Sequence, residues 1–511
     1  MNRLLIPLLA LLLLFTGCSA VPQESEEPAR DWAEFQQEQA QQQEKDTPDY
    51  PDAFSMAYHQ GHTLDPITCG EGIQQDVSSL LFEPIFRLDA TFSPEPLLCT
   101  GYSWDESGLV CTLTVREGVL FSDGSSLTPA DVADTLRRAA ASPRYAYRLR
   151  EVTGISSSSR SGTVTVTLAA PNQGFPALLD IPVVKSGTEG QSVPVGTGPY
   201  VFVTASEGDR LLPNSDWWQG KSRPVASIEL VHAKDLDTAM HLFSSHRVEL
   251  LTTDPTGETP TAMGQPDTAD RPTAILQFIG FNTRQGIFAD AAALSAFSRG
   301  IQRDMLVDAF LSGHAQVAYF PISPISPLYP ADLASAYDYE ETLTALQRAG
   351  QSTGQIQELT LLVNEENSFR LANAQFIAEN LSLLDWHITV RALPWAEYLA
   401  ALAAGDFDLY YGEARLTADW DLRDLVGTAG LLNYGGYTNP LLDAAMLNFA
   451  GASDRTAAAR RLCILLREEV PIAPICFQCD TVLTHAGVVD CISPTPGYTF
   501  AGLEKWAIHL S

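Results

Sequence analysis

The chain has 511 residues, 45% of them hydrophobic and 9% aromatic, with 31 basic against 62 acidic side chains and a net charge of −31. At roughly 100 to 200 residues per domain the length excludes a single small domain, and the hydrophobic share excludes a disordered chain. The charge excludes the basic face that a nucleic-acid partner needs and gives no attraction to anionic lipid headgroups.

The N-terminus reads as a leader. Arg3 precedes Leu4 to Phe15, twelve residues without a charge. As a helix these cover about 18 Å, short of the roughly 30 Å hydrocarbon core, so residues 1–17 are predicted to be a signal peptide rather than a span. Thr16-Gly17-Cys18 resembles the bacterial lipobox, which makes Cys18 the candidate for diacylglyceryl attachment. Removing Arg3 with the leader takes the net charge from −31 to −32. Ser19 to Asp49 hold nine acids, two bases and seven Gln, a composition that cannot offset its ordering entropy, so residues 18–49 read as a disordered, lipid-anchored tether. A body of 462 residues remains.

Seven further cysteines follow: Cys69, Cys99, Cys111, Cys463, Cys476, Cys479 and Cys491. An odd number in an exported chain leaves at least one thiol free or paired between molecules. Cys99 and Cys111, at the ends of what read as adjacent strands, are a candidate bridge. Cys476-x-x-Cys479 lacks a second CxxC or a His pair to complete a zinc site, so a structural role outweighs a redox one.

Along the body, Leu109 to Val115 alternates as a strand, Gly118 and Asp123-Gly124 mark turns, and Thr128-Pro129-Ala130-Asp131 opens a helix with Thr128 as N-cap and Pro129 at its first position. Thr163 to Leu168 alternates again. Ser227–Val231, Leu236–Phe243 and Arg247–Leu251 read as strand, helix and strand, the pattern of a parallel sheet. A third region starts with a strand at Ile275–Asn282 and a helical stretch from Ala291 to Ser312. Glu358–Val363, Ser368–Leu383, His387–Leu393, Ala396–Ala403 and Phe407–Tyr411 then alternate strand and helix as a second α/β unit. The proline-rich last forty residues cross between units, and no repeat of fixed period is present.

Several stretches in fixed order carry a resemblance: Thr63-Leu64-Asp65-Pro66, Leu80 through Asp89 (LLFEPIFRLD), Leu113 through Val132 (LTVREGVLFSDGSSLTPADV), Pro194 through Tyr200 (PVGTGPY), Gly280-Phe281-Asn282-Thr283, and Arg299 through Asp304 with Leu306-Val307. Together, from about Tyr58 to Phe500, they resemble the peptide- and nickel-type solute-binding proteins of ABC transporters, family 5. The resemblance implies an α/β type II periplasmic-binding-protein fold, with two α/β lobes joined by a hinge and an extra subdomain in the first lobe. It places the first lobe at 50–80, 190–275 and 481–511, the subdomain at 81–189 and the second lobe at 276–480. Hinge strands are expected near Leu276–Phe281 and Cys476–Leu483.

The implied function is capture of di- and oligopeptides between the lobes and delivery to ABC permease subunits, by a monomer held on the outer face of the cytoplasmic membrane, with no enzymatic step and no cofactor. In the segment that matches the family's ligand-contacting stretch, Glu413, Asp419 and Asp421 offer anionic partners for a peptide ammonium, and Arg415 a planar fork for its carboxylate. The competing reading pairs Glu413 with Arg415 across one strand face. Trp420 and Tyr411 are candidate aromatic walls, Asn433 and Tyr437 candidates from the loop Leu431 to Tyr437, Asn282 and Thr283 from the hinge side, and Glu71 from the loop Thr68 to Gly72.

Three other readings compete. His59 and His62 near Cys69 suggest a nickel or metal-chelate binder of the same family, although nine dispersed histidines and the absence of HExxH favour no metal. A ligand sensor would use the same cleft. A thiol-redox envelope protein would need a reactive, low-pKa thiol at Cys476 or Cys479. No GxSxG, P-loop or dinucleotide-binding glycine turn is present to support an enzyme.

Overall fold

The computed structural model describes residues 53–70, 72–257, 264–348, 357–382 and 386–510; the leader, the tether, Cys18 and Glu71 lie outside these. In chain order, β1 is Phe54–Tyr58, and β2 (Phe86–Leu88) pairs with β3 (Pro94–Pro96). Next, β4 (Cys99–Trp104), β5 (Val110–Val115), β6 (Val152–Ser158) and β7 (Thr163–Leu168) form a separate sheet in the order β4-β5-β7-β6. Then come β8 (Tyr200–Ala205), β9 (Gly208–Pro213), β10 (Ile228–His232), β11 (Leu250–Thr253), the long β12 (Asp267–Phe281), β13 (Ala315–Val317), β14 (Gln357–Asn364), β15 (Trp386–Leu393), β16 (Leu409–Arg415) and the long β17 (Ile472–Thr484). Two short strands, β18 (Val489–Asp490) and β19 (Ala507–Ile508), close the chain.

One mixed sheet of eleven strands runs in the order β15-β14-β16-β12-β17-β11-β1-β10-β9-β8, with β13 beside β17. On one side β1 is parallel to both β10 and β11, with the helix Leu236–Ser244 between the latter two, as the sequence pattern requires. On the other side β14 is parallel to β15 and β16. The antiparallel pair β12 and β17 belongs to both halves. Its register breaks between Pro272 and Leu276, the local slip of a β-bulge.

Each half is buried by its own core. Alternate residues of β16 go to opposite faces: Tyr410 joins the core containing Phe278 and Trp420, while Leu409 and Tyr411 join the one containing Ile279 and Trp386. The first half packs Met56, Val77, Phe243 and Leu250, and the four-stranded sheet buries Leu113, Val164 and Val166 against Val132 and Leu136 of the helix Pro129–Ala141. That helix starts as predicted, with a capping box: the Thr128 N–H donates to Asp131 Oδ2 at 2.9 Å, and the Asp131 N–H to Thr128 Oγ1 at 3.4 Å. Three differences from the sequence pattern stand out. Ala291 to Ser312 is two helices, Ala291–Gly300 and Arg303–Leu311. The strand expected at 247–251 is displaced to Leu250–Thr253, and β12 begins at Asp267 rather than Ile275, because DTADRPT has no apolar period and becomes a strand only by pairing with β17.

A buried carboxylate joins two of the sequence motifs. Glu83, 1% exposed, accepts from Thr197 Oγ1 (3.0 Å), Trp217 Nε1 (3.1 Å), Trp218 Nε1 (2.6 Å) and Gln219 Nε2 (2.6 Å). Burial pushes this carboxyl up, and the two indole donors oppose the shift. The flanking glycines make the approach possible: a Cβ on Gly196 would stand 2.2 Å from the Leu81 carbonyl oxygen, and one on Gly198 2.5 Å from that of Leu80. Replacing Glu83 by Ala strands four donors, so chemical denaturation should register a loss of about 3 kcal/mol. The exposed Glu106→Ala change should leave the transition where it is.

Candidate functional site

The two long strands also floor a cleft of about 160 Å³, open to solvent. Its walls come from the helix Ile73–Leu81 (Gln75, Asp76), the β2–β3 hairpin (Leu88, Phe92), Arg148 and Asp180, the crossing (Arg271 to Ala274, Asp480), the C-terminal end of β16 with the adjoining loop (Arg415 to Ala418), and Pro496-Gly497. Three arginines and three aspartates line it.

Two of the arginines are already paired. Arg271 lies opposite Asp480 in the β12–β17 ladder and donates to it from Nη2 (2.7 Å) and Nε (3.2 Å). Its Nη1 reaches Asp76 Oδ1 (2.9 Å) and Thr499 Oγ1 (2.8 Å), and the Thr499 hydroxyl donates to Asp76 at 2.8 Å. Arg148 is bound to Asp180. Arg415 is different: it is exposed on β16, lines the cleft, and has no hydrogen bond or ion pair among the described residues. Burial pushes the Asp480 carboxyl up, with Arg271 and then Arg415 acting against it. The site therefore presents a free guanidinium beside a bridged pair of carboxylates, the layout that a zwitterion complements.

Most of the other predicted site residues are engaged elsewhere. Glu413 does not pair with Arg415; it accepts from Gln277 Nε2 (2.7 Å) and forms an ion pair with Arg370 at 2.6 Å. Asp419, 5% exposed, accepts from Asn172 Nδ2 (2.7 Å) and Thr417 Oγ1 (2.5 Å). Asp421 pairs with Arg423 (2.7 Å) and Arg150 (2.8 Å). Neither aspartate lines the cleft, because Asn172, Arg150 and Glu151 occupy this segment. Arg150 also reaches Asp424 (2.6 Å), the Tyr147 hydroxyl donates to Asp424 (2.7 Å), and Glu151 pairs with Arg423 (3.1 Å). Gly174 permits the approach, since a Cβ there would stand 2.4 Å from Arg455 Nη1 and 2.8 Å from the Asp419 side chain.

Trp420 is 1% exposed, at φ 57°, edge-on to Phe92 (5.1 Å) and Phe477 (5.7 Å); it and the fully buried Tyr411 are core rather than cleft walls. Asn433 pins its own loop, donating to the Gly427 and Tyr437 carbonyls (2.9 and 2.7 Å). The Tyr437 hydroxyl donates to Glu469 at 2.8 Å. Asn282 donates to the Gly405 and Phe407 carbonyls (3.1 and 3.0 Å), and Thr283 to that of Gly435 (3.1 Å). Glu71 lies outside the described residues. Sequence reasoning missed Asp76, Arg148, Asp180, Arg271 and Asp480, whose grouping no spacing in the chain announces.

The family described as bacterial extracellular solute-binding proteins, family 5 Middle, matches residues 93–424, well over half of the chain. The chain belongs to this family. Across 470 residues it is 23% identical to the glutathione-binding protein GsiB of Salmonella typhi, covering 86% of this chain and 91% of that one. The periplasmic murein tripeptide binding protein MppA, in an unliganded open form, superposes with a TM-score of 0.75 at 17% identity, covering 90% of this chain and 99% of that one. A nickel ABC transporter protein from Bacillus halodurans gives 0.74 at 18% identity, with 87% and 98% covered. The fold is that of type II periplasmic binding proteins, as the sequence implied.

No group of three or more His, Cys, Asp or Glu that could hold a metal ion occurs among the described residues; the His59 and His62 rings are 5.7 Å apart, and His59 Nδ1 lies 2.6 Å from the Ala233 carbonyl. No helix among them is long and apolar enough to cross a membrane. The expected Cys99–Cys111 bridge does not form: in the ladder Cys99 faces Val115 and Cys111 faces Trp104, and both thiols are free. Burial pushes Cys476 and Cys479 up to about 12, the opposite of what a redox thiol requires. Of the seven thiols from Cys69 onward only Cys491 is exposed. A thiol reagent at pH 8 should therefore label one of these seven quickly in the folded protein and all seven in denaturant, as read by mass spectrometry.

Proposed function

We propose that this protein captures small peptides between its lobes and delivers them to the permease of an ABC importer, with Arg415 holding a ligand carboxylate. The unpaired Arg415 guanidinium in the cleft carries this reading. An arginine fork left without an acid in a chain with twice as many acids as bases is preorganised for a carboxylate from outside. The ligand's ammonium would face the Asp76 and Asp480 side of the cleft. The names of two relatives, a glutathione binder and a murein tripeptide binder, are compatible with such a ligand.

The remaining parts of the scheme rest on the sequence. Cys18 would carry the diacylglyceryl anchor and residues 18–49 the tether, holding a monomer at the outer face of the cytoplasmic membrane. The lobes would be 50–80 with 190–275 and 481–511, and 276–480, with the subdomain at 81–189. The register break at Pro272–Leu276 supports a hinge at that place.

Thermal shift against di- to hexapeptide pools, with nickel–histidine and oligosaccharides as comparison sets, tests the ligand class. A ligand that binds only the folded form stabilises it by about 2.7 kcal/mol at 100 times its dissociation constant. A response confined to nickel–histidine would move the function to metal uptake. Arg415→Ala should weaken peptides with a free C-terminus by roughly 10- to 100-fold, the loss of one charge-assisted contact, and leave their C-terminal amides within about twofold. Equal loss for both would sink the assignment.

A further inference from the structure

The second lobe holds another, smaller pocket, of about 60 Å³, that shares no lining residue with the cleft. It lies between the helix Ala291–Gly300, Tyr319-Phe320, and the turn that joins the helix Arg455–Glu469 to β17. Three arginines line it, Arg299, Arg303 and Arg467, with Ser295, Ser298 and Tyr319, and no acidic residue does. In a chain with 62 acids and 31 bases, composition alone would produce the opposite lining.

Arg303 is the unusual member. It is 3% exposed, yet every acceptor it has found is neutral: Nε donates to the Pro474 carbonyl (2.7 Å), Nη1 to the Ser298 and Ile301 carbonyls (2.8 and 3.4 Å), and Nη2 to Ser298 Oγ (2.9 Å). Its guanidinium carbon lies 4.9 Å from the centre of the Tyr319 ring. A guanidinium has five N–H donors, so one on Nη2 remains uncommitted. Burial pulls this group down to about 10, with Tyr319, Tyr329 and Asp304 acting against the shift, as expected for a desolvated charge that no carboxylate contacts directly. Around it, Arg299 holds Glu341 at 2.8 Å in a largely exposed pair, a weak and displaceable contact. Arg467 is exposed and makes no hydrogen bond among the described residues, since nearby Asp332 is held by both Nη atoms of Arg460 (2.6 and 2.7 Å).

We propose that this cavity binds a small oxyanion, phosphate or a carboxylate, between Arg299, Arg303 and Arg467, independently of the interlobe cleft. The anion would receive the spare Arg303 donor and the forks of the two outer arginines, and supply the charge that the buried guanidinium lacks. The serine hydroxyls would complete its coordination.

The test uses the full chain, titrated calorimetrically and by thermal shift with inorganic phosphate and separately with acetate, at ionic strength held constant with chloride. Saturable binding of either anion is expected, with phosphate or acetate as the better ligand naming the source. Because Arg303 is buried and its replacement could unfold the lobe, the deciding variant is the double exchange Arg299→Gln with Arg467→Gln. It should weaken the anion at least about tenfold while peptide binding in the cleft is unchanged. Arg415→Ala should keep the anion. The proposal is overturned if neither anion binds saturably, if the double variant binds as the unaltered chain does, or if Arg415→Ala abolishes the effect.

Discussion

The antiparallel ladder of β12 and β17 is the constraint on which the molecule depends. Both strands run through both halves of the large sheet, so each half is built on the same two segments of backbone. Pro272 has no N–H to give, and the register slips between it and Leu276, so the ladder is interrupted where the halves meet. Part of the polar lining of the cleft is placed around that interruption. Arg271 stands immediately before it, opposite Asp480. Arg415, the last residue of β16, stands opposite Ile275, within it. A slip of one residue in either ladder would turn Arg415 to the other face of the sheet.

Charge is distributed differently on the two sides of that crossing. At the cleft floor one guanidinium bridges two carboxylates, and another makes no hydrogen bond or ion pair among the described residues. At the contact between subdomain and second lobe the charges are satisfied within the protein, by Arg150, Glu151 and Asn172 on one side and Asp419, Asp421, Arg423 and Asp424 on the other. The ion pairs there are partly exposed, and such pairs contribute about 0.2–1 kcal/mol each. Apolar contact adds to them through Phe92 against Trp420.

Much of the frame was legible in the sequence. Alternation found β5 and β7 almost to the residue, the Thr128-x-x-Asp131 pattern gave its helix start, and the β/α rhythm from 358 onward was read with small errors at the ends. These are local signals, carried by a period or a cap. The site was far less legible. Asp419 meets Asn172 across 247 positions and Asp421 meets Arg150 across 271, so a carboxylate that looks free in the sequence is occupied in the fold. The N-terminal half of β12 failed for the same reason: its strand character comes from its partner. The candidate bridge between Cys99 and Cys111 assumed that strand ends meet, whereas the ladder sets the two cysteines on different rungs.

The residues that carry the family resemblance are, with few exceptions, those that build the frame. Leu113 to Val132 supplies β5 and the start of the subdomain helix; Pro194 to Tyr200 and Leu80 to Asp89 meet at Glu83; Gly280 to Thr283 is tied to the carbonyls of 405, 407 and 435. Of all these stretches only Leu88 lines the cleft. The charged lining comes instead from Arg415, in the stretch that matches the family's ligand-contacting segment, and from Asp76, Arg148, Asp180, Arg271 and Asp480, which lie outside every motif. The motifs therefore report the frame, while most of the charged lining of the cleft is set by residues outside them.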